Sequence, residues 1–198
     1  MQDNRIKPIL FSTEMVRAIL EGRKTVTRRD PFQTPPDYDV LKGHYRDSKG
    51  QLCAVFQCRK DPTTEAVYAR YDRGDILWVR ETWTPVPDGS YIYKASVECP
   101  DAWRGTWHPS IHMPKEAARL FLRVTGVRAE LLQEITPEDI REEGAQGRHF
   151  QAPTRGAFAD LWDRTVKPSD RSIYGWAADP WVWVIAFERC EKPEGWPK

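Results

Sequence analysis

Residues 22–29 read GRKTVTRR. Four of these eight side chains are cations, in a chain of 198 residues whose net charge is only +1. The stretch lies at the junction of two elements. Upstream, PILFSTEMVRAILEGRK (8–24) opens as a short strand and continues as a helix. Ser12 or Thr13 caps that helix, Glu14 suits its first turn, and Met15, Val16, Ile19 and Leu20 form one apolar stripe. Gly22 is placed to end it, so the first cations fall where the helix dipole favours positive charge. Downstream, TVTRR is β-prone and reads as a strand.

Working outward, residues 30–50 are rich in turn formers and read as an extended excursion. QLCAVFQC (51–58) and GDILWVRETW (74–83) read as strands, and VPDGSYIYKAS (86–96) as a hairpin bending at Asp88-Gly89. Residues 97–112 form a second excursion. MPKEAARL (113–120) reads as a short helix with Pro114 at its first position, leading into a long strand, LFLRVTGVRAELL (120–132), bent at Gly126. ITPEDIREEG (135–144) carries a full set of helix signals: Thr136 as cap, Pro137 at the first position and Gly144 as stop. GRHFQAPTRG (147–156) reads as a flexible link, AFADLWDRT (157–165) as a helix, and PWVWVIAFERC (180–190), apolar on both faces, as a central strand. Five or six strands with three short helices, in mixed order, predict an α+β chain built on a small, mostly antiparallel barrel. One domain is expected over 1–198, elaborated by the two excursions.

Thirty basic residues against twenty-nine acidic ones provide no global field for nucleic acid or membrane, so a charged partner must be met by a local patch. No segment is long and apolar enough to cross a membrane as a helix. MQDNRIKPIL lacks the apolar core of a signal peptide, and a cytosolic location with reduced cysteines is expected. Cys53 and Cys58 would point to opposite faces of a strand, and Pro109 interrupts His108 and His112 as a helical pair; neither spacing is a metal code, and no metal or cofactor is expected.

Within GRKTVTRR, Lys24 and Thr27 attract attention because a neutral lysine beside a hydroxyl can act as its base. Arg23, Arg28 and Arg29 crowd Lys24, and like charge lowers a lysine pKa, as burial does. A strict strand would send Lys24 and Thr27 to opposite faces; they converge only if the chain turns after Gly22. The bland alternative is a basic strand edge that resists aggregation. Trp78, Trp181 and Trp183 lie in strands and belong to the core. Trp83, Trp103 and Trp107 lie at a strand end and in a loop and are candidates for stacking on a base. Arg80 and Glu81 end a strand, as further binding residues or as a surface ion pair.

Gly22-x-Lys24-x-x-Thr27-x-Arg29 resembles the signature of the ASCH family, G-x-K-x-x-[E/T]-x-R. The order of features is similar too: a helix before the motif, a "GD-x-[ILV]" strand at GDIL (74–77), a capped "IT-x-E-x-x-x-x-EG" helix at 135–144, and an apolar closing strand. The resemblance spans most of residues 5–190, and IHMP with DPWVW resembles the longer members found in phage and prophage genomes. It implies a PUA-like barrel associated with RNA recognition and modification. One branch of the family removes the acetyl group from acetylcytidine with a lysine, a threonine three residues later and a distant glutamate. These fall on Lys24, Thr27 and Glu143, with Glu142 as the adjacent alternative. The resemblance implies that Lys24 deprotonates Thr27 or a water held by it, that Glu143 orients the lysine or handles the proton that reaches the leaving amine, and that Arg29 or a backbone N–H near Gly22 steadies the oxyanion. The chain is longer than that branch, and Arg28 replaces an apolar residue, an extra cation suited to a phosphate. The reading is a hydrolase of an amide bond in a modified nucleoside, nucleotide or RNA. Substrate-binding candidates are Arg23, Arg28, Arg29, Arg80, Glu81, Trp83 and Trp107. The alternatives are a non-catalytic RNA- or nucleotide-binding module, gripping with Arg23, Lys24, Arg28 and Arg29 and exposed Trp, or a ribonuclease.

Overall fold

The computed structural model describes residues 5–34, 37–100, 104–144 and 154–197. Its centre is a five-stranded sheet of β1 (Ile6–Leu10), β2 (Val26–Phe32), β6 (Ile76–Arg80), β9 (Phe121–Leu131) and β10 (Trp181–Cys190), in the order β1-β6-β9-β10-β2. Only β1 and β6 run parallel; the other neighbours are antiparallel. β10 is apolar on both faces because it pairs on both edges and is covered on both sides. On one side α1 (Thr13–Leu20) packs Val16 and Ile19 against Leu77, Val79, Leu122 and Ile185. On the other, α2 (Pro137–Glu142) and α3 (Arg155–Thr165) bring Ile140, Phe158 and Trp162 onto Val26, Val182 and Val184. The register of β9 on β10 slips beside Gly126, the expected bend.

A second sheet, β3 (Tyr38–Arg46), β4 (Leu52–Cys58) and β5 (Thr64–Tyr68), covers the Trp181 and Trp183 end of the first. Phe56 meets Trp181 edge-on with ring centres 4.9 Å apart, and the Ala129 N–H donates to His44 Nε2 at 2.8 Å. A hairpin of β7 (Trp83–Pro85) and β8 (Tyr91–Tyr93) turns at Gly89, whose φ of +86° requires glycine. The helix α4 (Arg171–Tyr174) precedes β10.

The α+β class and the mostly antiparallel pairing agree with the sequence reading; several details do not. Ten strands occur among the described residues, not five or six. The excursion at 30–50 contains β3, a strand whose residues are nearly all exposed or half-exposed, so alternation gives little sign of it. GDILWVRETW is interrupted after Arg80, where Glu81 N–H turns to Met113 Sδ at 3.1 Å. MPKEAARL forms only a 3-10 turn over Lys115–Ala117, because Leu120 must already be extended to accept from Val79 N–H at 2.9 Å. Most of the link at 147–156, and Trp103, lie outside the described residues.

Candidate functional site

The chain leaves α1 through Gly22, at φ +74°, and wraps back beneath the helix end. Arg23 and Lys24 N–H both donate to Ala18 O, at 2.8 and 3.0 Å. This is the bend that Lys24 needs in order to point inward. The partner surface comes from α2. Thr136 and Asp139 form a reciprocal capping box, and Pro137 occupies the first turn. The end of α2 then runs along the open edge of β2: Thr25 N–H donates to Glu142 O at 2.9 Å, and Lys24 and Glu143 form an antiparallel bridge. Gly144 makes this approach possible. Its φ is +74°, and a Cβ there would lie 2.7 Å from Ala18 Cβ and 2.9 Å from Lys24 Cβ.

Lys24 is wholly buried. Its Nζ is 2.7 Å from Glu143 Oε2, 2.8 Å from Val26 O and 2.9 Å from Glu143 O, so three acceptors meet the three N–H bonds of an ammonium. Burial pushes the amine below its ordinary value, Glu143 opposes this, and Arg29 and Arg28 add to the lowering. The other carboxylate oxygen, Glu143 Oε1, accepts from Arg28 N–H at 2.8 Å and Arg28 Nη1 at 3.2 Å. The Arg28 guanidinium, 1% exposed, also reaches Glu130 and, at 3.3 Å, Asp139. Arg28 was expected to offer a free cation for a phosphate. Instead, three carboxylates already surround it. Glu130 and Asp139 carry no motif that announces this role; only the fold brings them together.

Beyond the β2 edge opens a cleft of about 390 Å³. Its lining includes the polar residues Thr27, Arg28, Arg29, Glu143, Lys167 and Asp170, and the apolar and aromatic Phe158, Leu161, Trp162, Val166 and Tyr174. Thr27 is 2% exposed, and among the described residues its hydroxyl has no hydrogen-bond partner. Lys24 is absent from the lining; Glu143 is the member of the pair that reaches the cleft. The aromatic wall was not foreseen, although the apolar spacing of α3 held its signal.

Of the remaining expected residues, Arg29 lines the cleft and the others lie elsewhere. Arg23 pairs with Glu21 and donates to Gly144 O at 3.3 Å. Arg29 donates to Leu10 O at 2.6 Å and lies over the Phe11 ring. Arg80 and Glu81 do not pair with each other. Arg80 covers Trp78 and donates to Ile111 O, while Glu81, 1% exposed, is gripped by both Arg119 Nε and Nη2 at 2.9 Å. Trp83 is buried between Tyr91 and His108, with ring centres 5.5 and 5.1 Å away, which occupies the surface expected to stack on a base. Trp107 is half-buried and donates to Pro100 O at 3.3 Å. None of Arg80, Glu81, Trp83 and Trp107 lines the cleft.

No family model matches the chain, and no curated protein matches it. Among solved structures it is similar to the crystal structure of an ASCH domain from Lactobacillus crispatus. The identity is 10%, the TM-score 0.46, and the alignment covers 93% of this chain and 79% of the other.

Proposed function

We propose that the chain is an ASCH-type hydrolase that cleaves the amide bond of an acylated nucleoside, with acetylcytidine as the model substrate. The observation that supports this is that Thr27 and Glu143 both line a cleft that Phe158, Trp162 and Tyr174 also line. The wall of Phe158, Trp162 and Tyr174 suits a nucleobase, whose faces are apolar and whose edge is polar. The acyl carbonyl lies against Thr27. The hydroxyl of Thr27, or a water it holds, adds to the carbonyl carbon, Glu143 takes its proton, and the C–N bond breaks as that proton passes to the departing exocyclic amine. Where water attacks, acetate and the free nucleoside form directly; where Thr27 attacks, it carries the acetyl group as an ester, which water then hydrolyses to acetate and free Thr27. Lys24 and Arg28 act behind Glu143, fixing both of its oxygens. This assignment gives the base role to Glu143 because Glu143 lines the cleft and Lys24 does not.

The charge of Arg28 is matched internally, so it is not the group that would meet a phosphate; Arg29 and Lys167 also line the cleft, beside Asp170. The test is mass-spectrometric turnover of a panel of acylated nucleosides and the corresponding monophosphates. The expected result is release of acetate and the deacylated nucleoside. Absence of turnover across the panel would overturn the proposal.

A further inference from the structure

A second groove, of about 290 Å³, lies at the end of the β3-β4-β5 sheet and shares no lining residue with the Thr27 cleft. Six cations line it: Arg5, Lys7, Arg46, Lys49, Arg70 and Arg73. Its two carboxylates, Asp72 and Asp75, come from one turn, where Asp72 N–H donates to Asp75 Oδ2 at 2.9 Å. Each already holds a cation. Arg46 binds Asp72 through both of its terminal nitrogens, and Lys7 Nζ is 2.6 Å from Asp75 Oδ2. Asp75 is buried, and Lys7 and Asp72 are half-buried, so these pairs make the inner part of the groove neutral.

The rim is different. Arg5, Lys49, Arg70 and Arg73 are exposed, and among the described residues none of them has a carboxylate partner. They come from three separate stretches: Arg5 just before β1, Lys49 in the turn between β3 and β4, and Arg70 and Arg73 between β5 and β6. Six cations less two carboxylates leave +4 here, in a chain whose total is +1. Among the described residues of the lining only Tyr71 is aromatic, and it is buried. Arg70 and Lys7 lie over its ring, at 5.4 and 5.9 Å, and its hydroxyl donates to Pro8 O at 3.0 Å.

We infer that this groove docks an extended acidic segment of a partner protein, with Asp and Glu carboxylates on the four rim cations. A compact anion needs donors that converge on it, and the inner cations, Arg46 and Lys7, are committed to carboxylates. The unpaired cations are dispersed around the rim and match charges spaced along a chain. Alternate side chains of an extended peptide lie about 7 Å apart. Three of the four rim cations are arginines, whose planar fork takes a carboxylate through two hydrogen bonds. With its one ring covered, the groove lacks the stacking platform that holds a single nucleic-acid strand. The inference does not rest on hydrolysis in the Thr27 cleft.

Fluorescence anisotropy on the full chain tests it, with a labelled oligoglutamate of about eight residues as the probe and oligoglutamine of equal length as the uncharged control. The expected result is binding of oligoglutamate alone, weakening at least about fivefold from about 50 to about 200 mM salt as screening shortens the reach of the rim charges. Lys49→Glu with Arg70→Glu should weaken binding at least about tenfold, since each reversed charge repels the peptide. Arg59→Glu with Lys60→Glu makes the same change of charge at exposed positions outside the groove and should weaken it by less than about threefold. Absence of binding at low salt would overturn the inference. So would equal losses in the two variants, because the net field and not the groove would then hold the peptide. Tripolyphosphate or oligouridylate that, at equal charge, displaces the probe at lower concentration than unlabelled oligoglutamate would assign the groove to phosphates and overturn the inference too. If Lys49→Glu with Arg70→Glu fails to fold, Lys49→Gln with Arg73→Gln takes its place, with an expected loss of at least about threefold.

Discussion

Removing either member of the Lys24–Glu143 pair should have unequal effects on stability, and the structure says which is worse. Glu143→Gln leaves the ammonium of Lys24, 0% exposed, without its anionic partner. Breaking a buried pair from one side costs about 3–5 kcal/mol. Lys24→Met fills much the same volume and leaves the Glu143 carboxylate held by two Arg28 donors, so about 1–3 kcal/mol is expected. The two also differ in pH dependence. Lys24 is lowered from its ordinary 10.5 by burial, and Glu143 opposes that lowering. The unfolded chain therefore keeps the lysine proton to higher pH than the folded chain does, and stability rises with pH from the lowered folded value towards 10.5. Without Glu143 that window opens at lower pH. The deficit of Glu143→Gln should then shrink as pH rises, by at most about 1.4 kcal/mol per unit. Urea unfolding of the wild type and both variants, from neutral to alkaline pH, measures this. A Lys24→Met cost equal to or above that of Glu143→Gln, or a pH-independent deficit, would refute the reasoning.

Other outcomes follow from the same geometry. Gly144→Ala adds a Cβ within 3 Å of Ala18 and Lys24 at positive φ, and should cost about 2–4 kcal/mol in urea unfolding. Gly22→Ala, at the same φ of +74° but with nothing within 4 Å, should cost only about 1 kcal/mol. Thr136→Ala removes the hydroxyl that caps α2 and should lower stability by about 1 kcal/mol. Thr27→Val replaces a hydroxyl that has no partner among the described residues by a methyl group of similar size, so stability should shift by no more than about 0.5 kcal/mol.

The approach of Lys24 and Glu143 in the candidate site was legible because its local signals are strong. Gly22 and Gly144 both occur where a helix must stop, and Thr136-Pro137 fixes where α2 begins. The motif with its ordered neighbours led to Glu143, 119 residues from Lys24. The fate of Arg28 was not legible, since its three carboxylates come from β9 and from the start and end of the α2 segment. Nor was β3: its residues face solvent or rest on Trp181 and Trp183, and pairing with β4 holds it extended, not its own pattern. Trp83 misled because its position at a strand end suggested exposure, whereas His108, from a distant loop, covers it.

The most direct measurement is the initial rate of acetylcytidine hydrolysis by wild type and Thr27→Val, with both proteins first shown to unfold at the same urea concentration. The account predicts turnover by wild type and its loss in the variant at unchanged stability. Equal rates in the two proteins would contradict it, because Thr27 would then have no part in the chemistry of the cleft.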